Sequence, residues 1–113
     1  MVSKLVVFEG CDRSGKSTQI QRLASALQEN GFKVKIYQYP DRGNKTGNLL
    51  DTYLLGINGT LSPEAVHLLF SANRWENDSF LRKTLKDQDV DIILLDRYTL
   101  SGLAFSMAKV CYM

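Results

Sequence analysis

The sequence predicts an α/β fold, three-layer α/β/α around a parallel sheet, from two observations. Apolar runs of strand length alternate with segments of helical periodicity from one end of the chain to the other. Between the first strand and the first helix lies a glycine-rich loop, Gly10-Cys11-Asp12-Arg13-Ser14-Gly15-Lys16-Ser17. Alternation of this kind implies parallel strands joined by right-handed helical crossovers, with ligands bound at the carboxyl ends of the strands.

Taken in order, residues 5–8 form a compact, valine-rich apolar run that suits a strand buried on both faces. From Lys16 the period changes: Ile20, Leu23, Ala24 and Leu27 fall at helical spacing, and Gly31 follows Asn30 where a left-handed cap is usual. Val34, Ile36, Tyr37 and Tyr39 give a second strand stopped by Pro40, and Asp41-Arg42-Gly43-Asn44 reads as a loop. A short helix with Leu49, Leu50, Tyr53 and Leu54 as its apolar positions ends at Gly56. Ser62-Pro63-Glu64 starts the next helix, Ser as N-cap and Pro in the first turn. Its inward stripe is expected to run through Val66, Leu69, Phe70, Asn73, Phe80, Leu81 and Leu85 as one long helix. Residues 92–95 form the third strand, closed by Asp96-Arg97-Tyr98, and residues 101–110 read as helical.

The composition of the 113 residues, 44% hydrophobic and 23% charged, is that of one soluble globular domain over 1–113 with a modest core. Fourteen basic and 12 acidic residues give a net charge of +2 and are interspersed, without the basic run that tracks nucleic-acid backbones. Phosphate recognition is therefore expected to be local, with no nucleic-acid partner. Cys11 and Cys111 lie far apart in the sequence and lack metal or redox spacing, so they read as buried or incidental thiols. The N-terminal apolar run is too short for a signal peptide or a membrane span, so a cytoplasmic location is expected, with a nuclear one as the alternative.

The glycine-rich loop matches GxxxxGKS/T in the strand-to-helix context that gives the motif its meaning. Gly10 and Gly15 permit the bends that turn successive N–H groups toward phosphate oxygens, and the helix dipole adds positive potential. Lys16 is expected to reach the outer phosphates and the Ser17 hydroxyl to ligate magnesium, against the plainer reading of a surface turn. Asp96, at the end of an apolar strand, fits a carboxylate that holds magnesium or its waters, the competing role being a helix N-cap. Arg97 beside it can bridge donor and acceptor phosphates through its planar fork, or make a surface salt bridge. Phe70 and Arg74 stand four apart on a helix, so both can flank one flat ring; core packing for Phe70 and an ion pair of Arg74 with Asp78 are the rival readings.

Four segments carry a family resemblance: residues 8–18, FEGCDRSGKST; Tyr39-Pro40-Asp41-Arg42; residues 67–76, HLLFSANRWE; and residues 96–102, DRYTLSG. Together, and in this order, they resemble the thymidylate kinases, which are P-loop NTPases of the nucleoside monophosphate kinase-like kind. The resemblance implies transfer of the ATP γ-phosphate to dTMP, giving dTDP and ADP, with Mg2+ accompanying ATP and a homodimer as the assembly. It implies that Gly10, Asp12, Arg13, Ser14, Gly15, Lys16, Ser17 and Thr18 bind the ATP phosphates, and that Arg13, Lys16 and Arg97 are catalytic. Arg13 would mark the subgroup whose transition-state arginine lies in the P-loop. Asp12 would contact the deoxyribose 3'-hydroxyl, Arg42 and Arg97 the monophosphate, Phe70 and Arg74 the thymine, and Ser101, Gly102 and Phe105 the nucleoside pocket. Ser17 and Asp96 would serve the metal.

Members of this family continue well past residue 113, adding two strands and the lid over ATP, so those C-terminal strands and the lid are expected to be absent here. The sheet edge beside the first strand is then expected to be unfilled. A fragment or alternative product of a longer kinase, and a truncated relative that binds without turnover, are both open. Other functions also stay open: a different P-loop kinase of small molecules, or a non-catalytic nucleotide-binding or dimerisation module.

Overall fold

A computed structural model describes residues 3–11, 13–56, 61–101, 103, 104 and 107. Three strands, β1 (Lys4–Phe8), β2 (Val34–Gln38) and β3 (Ile92–Asp96), form a parallel sheet in the order β1-β3-β2. The apolar run of β3 explains its central place, because a strand flanked on both sides and covered on both faces has no polar position to spare. Ile93, Leu94 and Leu95 are all fully buried. Alternate side chains then serve opposite faces. Leu94 packs with Ile20 and Ala24 of helix α1 (Lys16–Glu29), whereas Ile93 and Leu95 pack with Tyr39, Val90 and Leu81 of helix α4 (Asp78–Leu85). The result is the expected α/β/α layering.

The register sets three residues abreast at each level. Val6, Leu94 and Ile36 share one level, and Phe8, Asp96 and Gln38 share the level at the carboxyl ends. The expectation that residues 5–8 are buried on both faces does not hold: Leu5, Val6 and Val7 are each 40% exposed. The cause is positional. Strand β1 has a neighbour on one side only, and α1 packs chiefly over β3 and β2. The unfilled edge anticipated beside the first strand is thus present among the described residues.

Helix α1 closes on Gly31, whose φ of 88° is open to glycine and whose N–H donates to the Gln28 carbonyl at 3.0 Å. Helix α2 (Lys45–Leu54) starts at Asn44, whose side chain accepts the Gly47 N–H at 2.8 Å. Helix α3 (Pro63–Glu76) starts at Ser62 as read from the sequence, with the Ala65 N–H donating to Ser62 Oγ at 3.2 Å.

The single long third helix is in fact two, α3 and α4, broken at Asn77. Asparagine is a weak helix former that favours helix ends, and Asn77 is both the C-cap of α3 and the N-cap of α4. Here the Asn77 Nδ2 donates to Asp41 Oδ2 at 2.7 Å. The break rotates the stripe: Leu81 stays buried, but Phe80, expected inside, is 54% exposed and meets the Tyr37 ring edge-on. Of the last predicted helix, residues 101–110, the described residues 101, 103, 104 and 107 are helical, with the helix already present at 99 and 100, and the remainder of that segment lies outside the described residues. Among the described residues, no helix is long and apolar enough to cross a membrane.

Candidate active site

The parallel pairing of β1 with β3 brings the glycine-rich loop and the Asp96-Arg97 turn side by side. The Arg97 N–H donates to the Phe8 carbonyl at 2.8 Å, and the Tyr98 N–H to Glu9 Oε1 at 2.9 Å. The Ser101 hydroxyl donates to the other oxygen, Glu9 Oε2. Glu9 therefore splints the two loops together. Its role is not visible in the sequence, where it is one residue ahead of a motif; only the strand register exposes it.

Lys16 reaches Asp96 with Nζ 2.7 Å from Oδ1, both side chains being close to nine-tenths buried. The contact has the distance of an ion pair without the angles of a hydrogen bond, so Asp96 Oδ1 accepts no hydrogen bond among the described residues. A buried carboxylate oxygen with spare lone pairs, next to a lysine that phosphates would draw away, fits an oxygen-seeking magnesium ion. The Ser17 hydroxyl, at the first turn of α1, is exposed on the same helix end. The Asp96 side chain is thus engaged with Lys16 rather than acting only as a cap.

Gly15 has φ 86°, as the sequence requires of a glycine there, and Ser14 Oγ donates to the Cys11 carbonyl at 2.7 Å across the loop. Cys11 itself is exposed, so it is not one of the buried thiols. Among the described residues, two that are not glycine also adopt the left-handed region: Arg13 at φ 61° and Arg97 at φ 69°. Each such residue costs about 1–2 kcal/mol, and strain of this kind concentrates where a side chain must be aimed. Both are arginines to which the family resemblance gives a phosphate role. Asp12, Gly102 and Phe105 lie outside the described residues.

Five of the remaining predicted residues converge. Arg42, Phe70, Arg74, Arg97 and Ser101 line one cavity of about 700 Å³ at the carboxyl ends of the strands. Arg97 is the chain neighbour of Asp96, so the cavity adjoins the Lys16–Asp96 pair. Phe70 and Arg74, one turn apart on α3, are both half-buried in the cavity wall. The rival partner for Arg74 is engaged elsewhere, since Asp78 pairs with Arg82 Nε at 2.7 Å. Arg42 Nη1 lies 2.9 Å from Asp51 Oδ1 on α2, an exposed pair that a phosphate dianion could displace. Tyr39 closes the floor, its ring tilted against Tyr98 at 5.3 Å, and burial together with the neighbouring Tyr98 and Asp41 pushes its phenol up to about 12.

Behind Arg42 stands a hydrogen-bond framework that sequence reasoning missed. Asn73, read as one member of an apolar stripe, is fully buried. Its Oδ1 accepts the Asp41 N–H at 2.7 Å, while its Nδ2 donates to the Asp41 carbonyl at 2.8 Å, to Asn44 Oδ1 at 2.9 Å and to Thr46 Oγ1 at 3.2 Å. One turn on, Glu76 accepts the Thr46 N–H and hydroxyl at 2.9 Å each and the Lys45 N–H at 3.2 Å. Those bonds, the Thr46 N–H first, hold its carboxyl below the usual glutamate range. Gly47 lies so close that a Cβ there would stand 1.7 Å from the Asp41 carbonyl oxygen. The available signal was an asparagine in a stripe of apolar residues.

A phosphate-cradling loop, a strand-end carboxylate paired to its lysine, and a nucleotide-sized cavity beside them define a P-loop NTPase of the α/β class. The family model for thymidylate kinase matches residues 8–111, and the chain belongs to the thymidylate kinase family. It is 44% identical to the thymidylate kinase of Danio rerio and 43% identical to that of Homo sapiens, over 93% of this chain and 48% of each relative. The solved thymidylate kinase structure of Candida albicans superposes with a TM-score of 0.83 at 42% identity, over 96% of this chain and 45% of that one. The chain thus spans about half the length of the relatives it matches.

Proposed function

We propose that this chain binds dTMP and the phosphates of ATP and serves the transfer of the ATP γ-phosphoryl group to dTMP, yielding dTDP and ADP. The observation that carries the reading is the convergence of Arg42, Phe70, Arg74, Arg97 and Ser101 on one cavity beside the Lys16–Asp96 pair. In this reading Phe70 stacks on the thymine and Arg74 donates to its exocyclic oxygen. Arg42 and Arg97 hold the acceptor phosphate, one from each rim, with Asp12, Ser101, Gly102 and Phe105 around the sugar. An oxygen of that phosphate attacks the γ-phosphorus as the bond to the β-γ bridging oxygen breaks, and ADP leaves with the negative charge.

Phosphoryl transfer asks a protein for alignment and charge neutralisation rather than covalent chemistry. Gly10, Ser14, Gly15 and Thr18 belong to the cradle of the donor phosphates, Lys16 leaves Asp96 for the outer ones, and Arg13 neutralises charge on the transferring group. Ser17 and Asp96 would hold magnesium, which would supply further neutralisation of the phosphate oxygens. A homodimer fits the exposed apolar side chains of α2 and α3, Leu49, Leu68 and Trp75 among them. The expected compartment is the cytoplasm, with the nucleus as the alternative.

The test is ADP release with MgATP and dTMP, then with dUMP, dCMP or dAMP, alongside Arg13→Ala. A dTMP-dependent rate that falls roughly a thousand-fold in Arg13→Ala supports the reading. A folded chain that binds dTMP but releases no ADP is a binding module, and turnover with a different acceptor in preference to dTMP makes it another kinase.

A further inference from the structure

Arg42 can meet an acceptor phosphate only if the loop that bears it is held in place, and that loop makes little apolar contact of its own. We propose that Asn73 is a positioning residue for the acceptor phosphate of a nucleoside 5'-monophosphate, acting through the backbone of Asp41 on the guanidinium of Arg42. The inference rests on the reading that Arg42 binds that phosphate.

Asn73 grips both polar groups of the Asp41 backbone, accepting its N–H at 2.7 Å and donating to its carbonyl at 2.8 Å. A carboxamide that pairs with the N–H and C=O of one residue fixes the orientation of that residue's backbone, here the one immediately before Arg42. No other side chain of this size does both, since a carboxylate lacks the donor and a hydroxyl lacks the second arm. The Asp41 side chain is pinned independently by the Asn77 Nδ2 at 2.7 Å and the Gly43 N–H at 2.9 Å. Among the described residues, every hydrogen-bond partner of the Asn73 side chain lies between residues 41 and 46, so these bonds order the loop and not the sheet. These bonds offset the desolvation of the fully buried amide, and an apolar residue there would leave the Asp41 N–H and carbonyl without this partner, so the order of the loop depends on Asn73.

The experiment titrates dTMP, and separately MgATP, into the full chain as wild type, Asn73→Asp, Arg42→Ala and the double variant. Asn73→Asp is expected to weaken dTMP about tenfold, the scale of one charge-assisted hydrogen bond lost from alignment, with MgATP affinity unchanged. Because Asn73 acts through Arg42, the double variant is expected to bind dTMP no more weakly than Arg42→Ala alone. A lower melting temperature is expected in either case, but a merely structural asparagine would weaken both ligands alike, or add its full factor in the Arg42→Ala background; either result overturns the proposal. Should Asn73→Asp fail to fold, Asn73→Ser, which keeps a small polar group but cannot hold both Asp41 backbone groups as the amide does, reads the same clamp: a several-fold loss for dTMP with MgATP unchanged supports it, and unchanged dTMP binding overturns it. Wild type that is folded and does not bind dTMP defeats the proposed function and this inference together, whereas dTMP binding lost in Arg42→Ala and kept in Asn73→Asp defeats the inference alone.

Discussion

The two sides of this molecule are held in different ways. On the side proposed to bind the acceptor, the loop of residues 41–46 is fastened by a buried asparagine, a glutamate, a second asparagine and a glycine that leaves no room for a methyl group. On the donor side the phosphate loop is largely exposed, stands on a strand with one neighbour, and depends on the Lys16–Asp96 pair and the Glu9 splint. The contrast teaches that the half proposed to take the acceptor carries its own preorganisation within these residues. In the proposed function, phosphate charge replaces the Lys16 contact with Asp96 in the other half.

The comparison breaks most visibly at Gly47. Gly47→Ala forces a Cβ into the Asp41 carbonyl, where backbone and not a movable side chain stands in the way. Denaturant unfolding is expected to show a loss of more than about 3 kcal/mol, with dTMP binding abolished in whatever remains folded. On the donor side, Lys16→Met strands the Asp96 carboxylate with little solvent. Its expected cost is about 3 kcal/mol near neutral pH, with MgATP binding lost and dTMP affinity kept, which calorimetric titration of each ligand would separate.

A smaller effect contrasts two residues on one level of the sheet. Leu94 is fully buried and its register partner Val6 is 40% exposed. Leu94→Ala is expected to cost about 3 kcal/mol and Val6→Ala under about 1 kcal/mol, read from thermal or urea melts. Equal costs would mean that β1 is covered in solution.

The smallest effect concerns pH. The Glu76 carboxyl is held below its ordinary value by the Thr46 and Lys45 donors, so its contribution to stability is fully present above the usual glutamate range and fades as pH falls through the depressed value. Acid titration of the melting temperature is expected to be shallower in Glu76→Gln than in wild type. An identical acid slope would remove Glu76 from the clamp.

Much of this was legible in the sequence for a physical reason. Strand β3 declares itself by an unbroken apolar run, Ser62-Pro63 by cap chemistry, and the phosphate loop by glycines that only one backbone path requires. Periodicity is a local quantity, and it failed where the decisive partner is distant. Asn77, where the helix breaks, has its side-chain partner at Asp41, and the burial of Asn73 depends on the loop of residues 41–46. The exposure of β1 depends on what stands beside it in the sheet. Glu9 illustrates the same limit, its two partners lying about ninety residues away at Tyr98 and Ser101.

The most direct test of the central claim is a calorimetric titration of dTMP into the purified chain without ATP. Saturable binding that is lost in Arg42→Ala and in Phe70→Ala, and that neither thymidine nor inorganic phosphate reproduces, is the expected result. A folded chain that binds MgATP but takes up no dTMP would contradict an acceptor site preorganised within these residues.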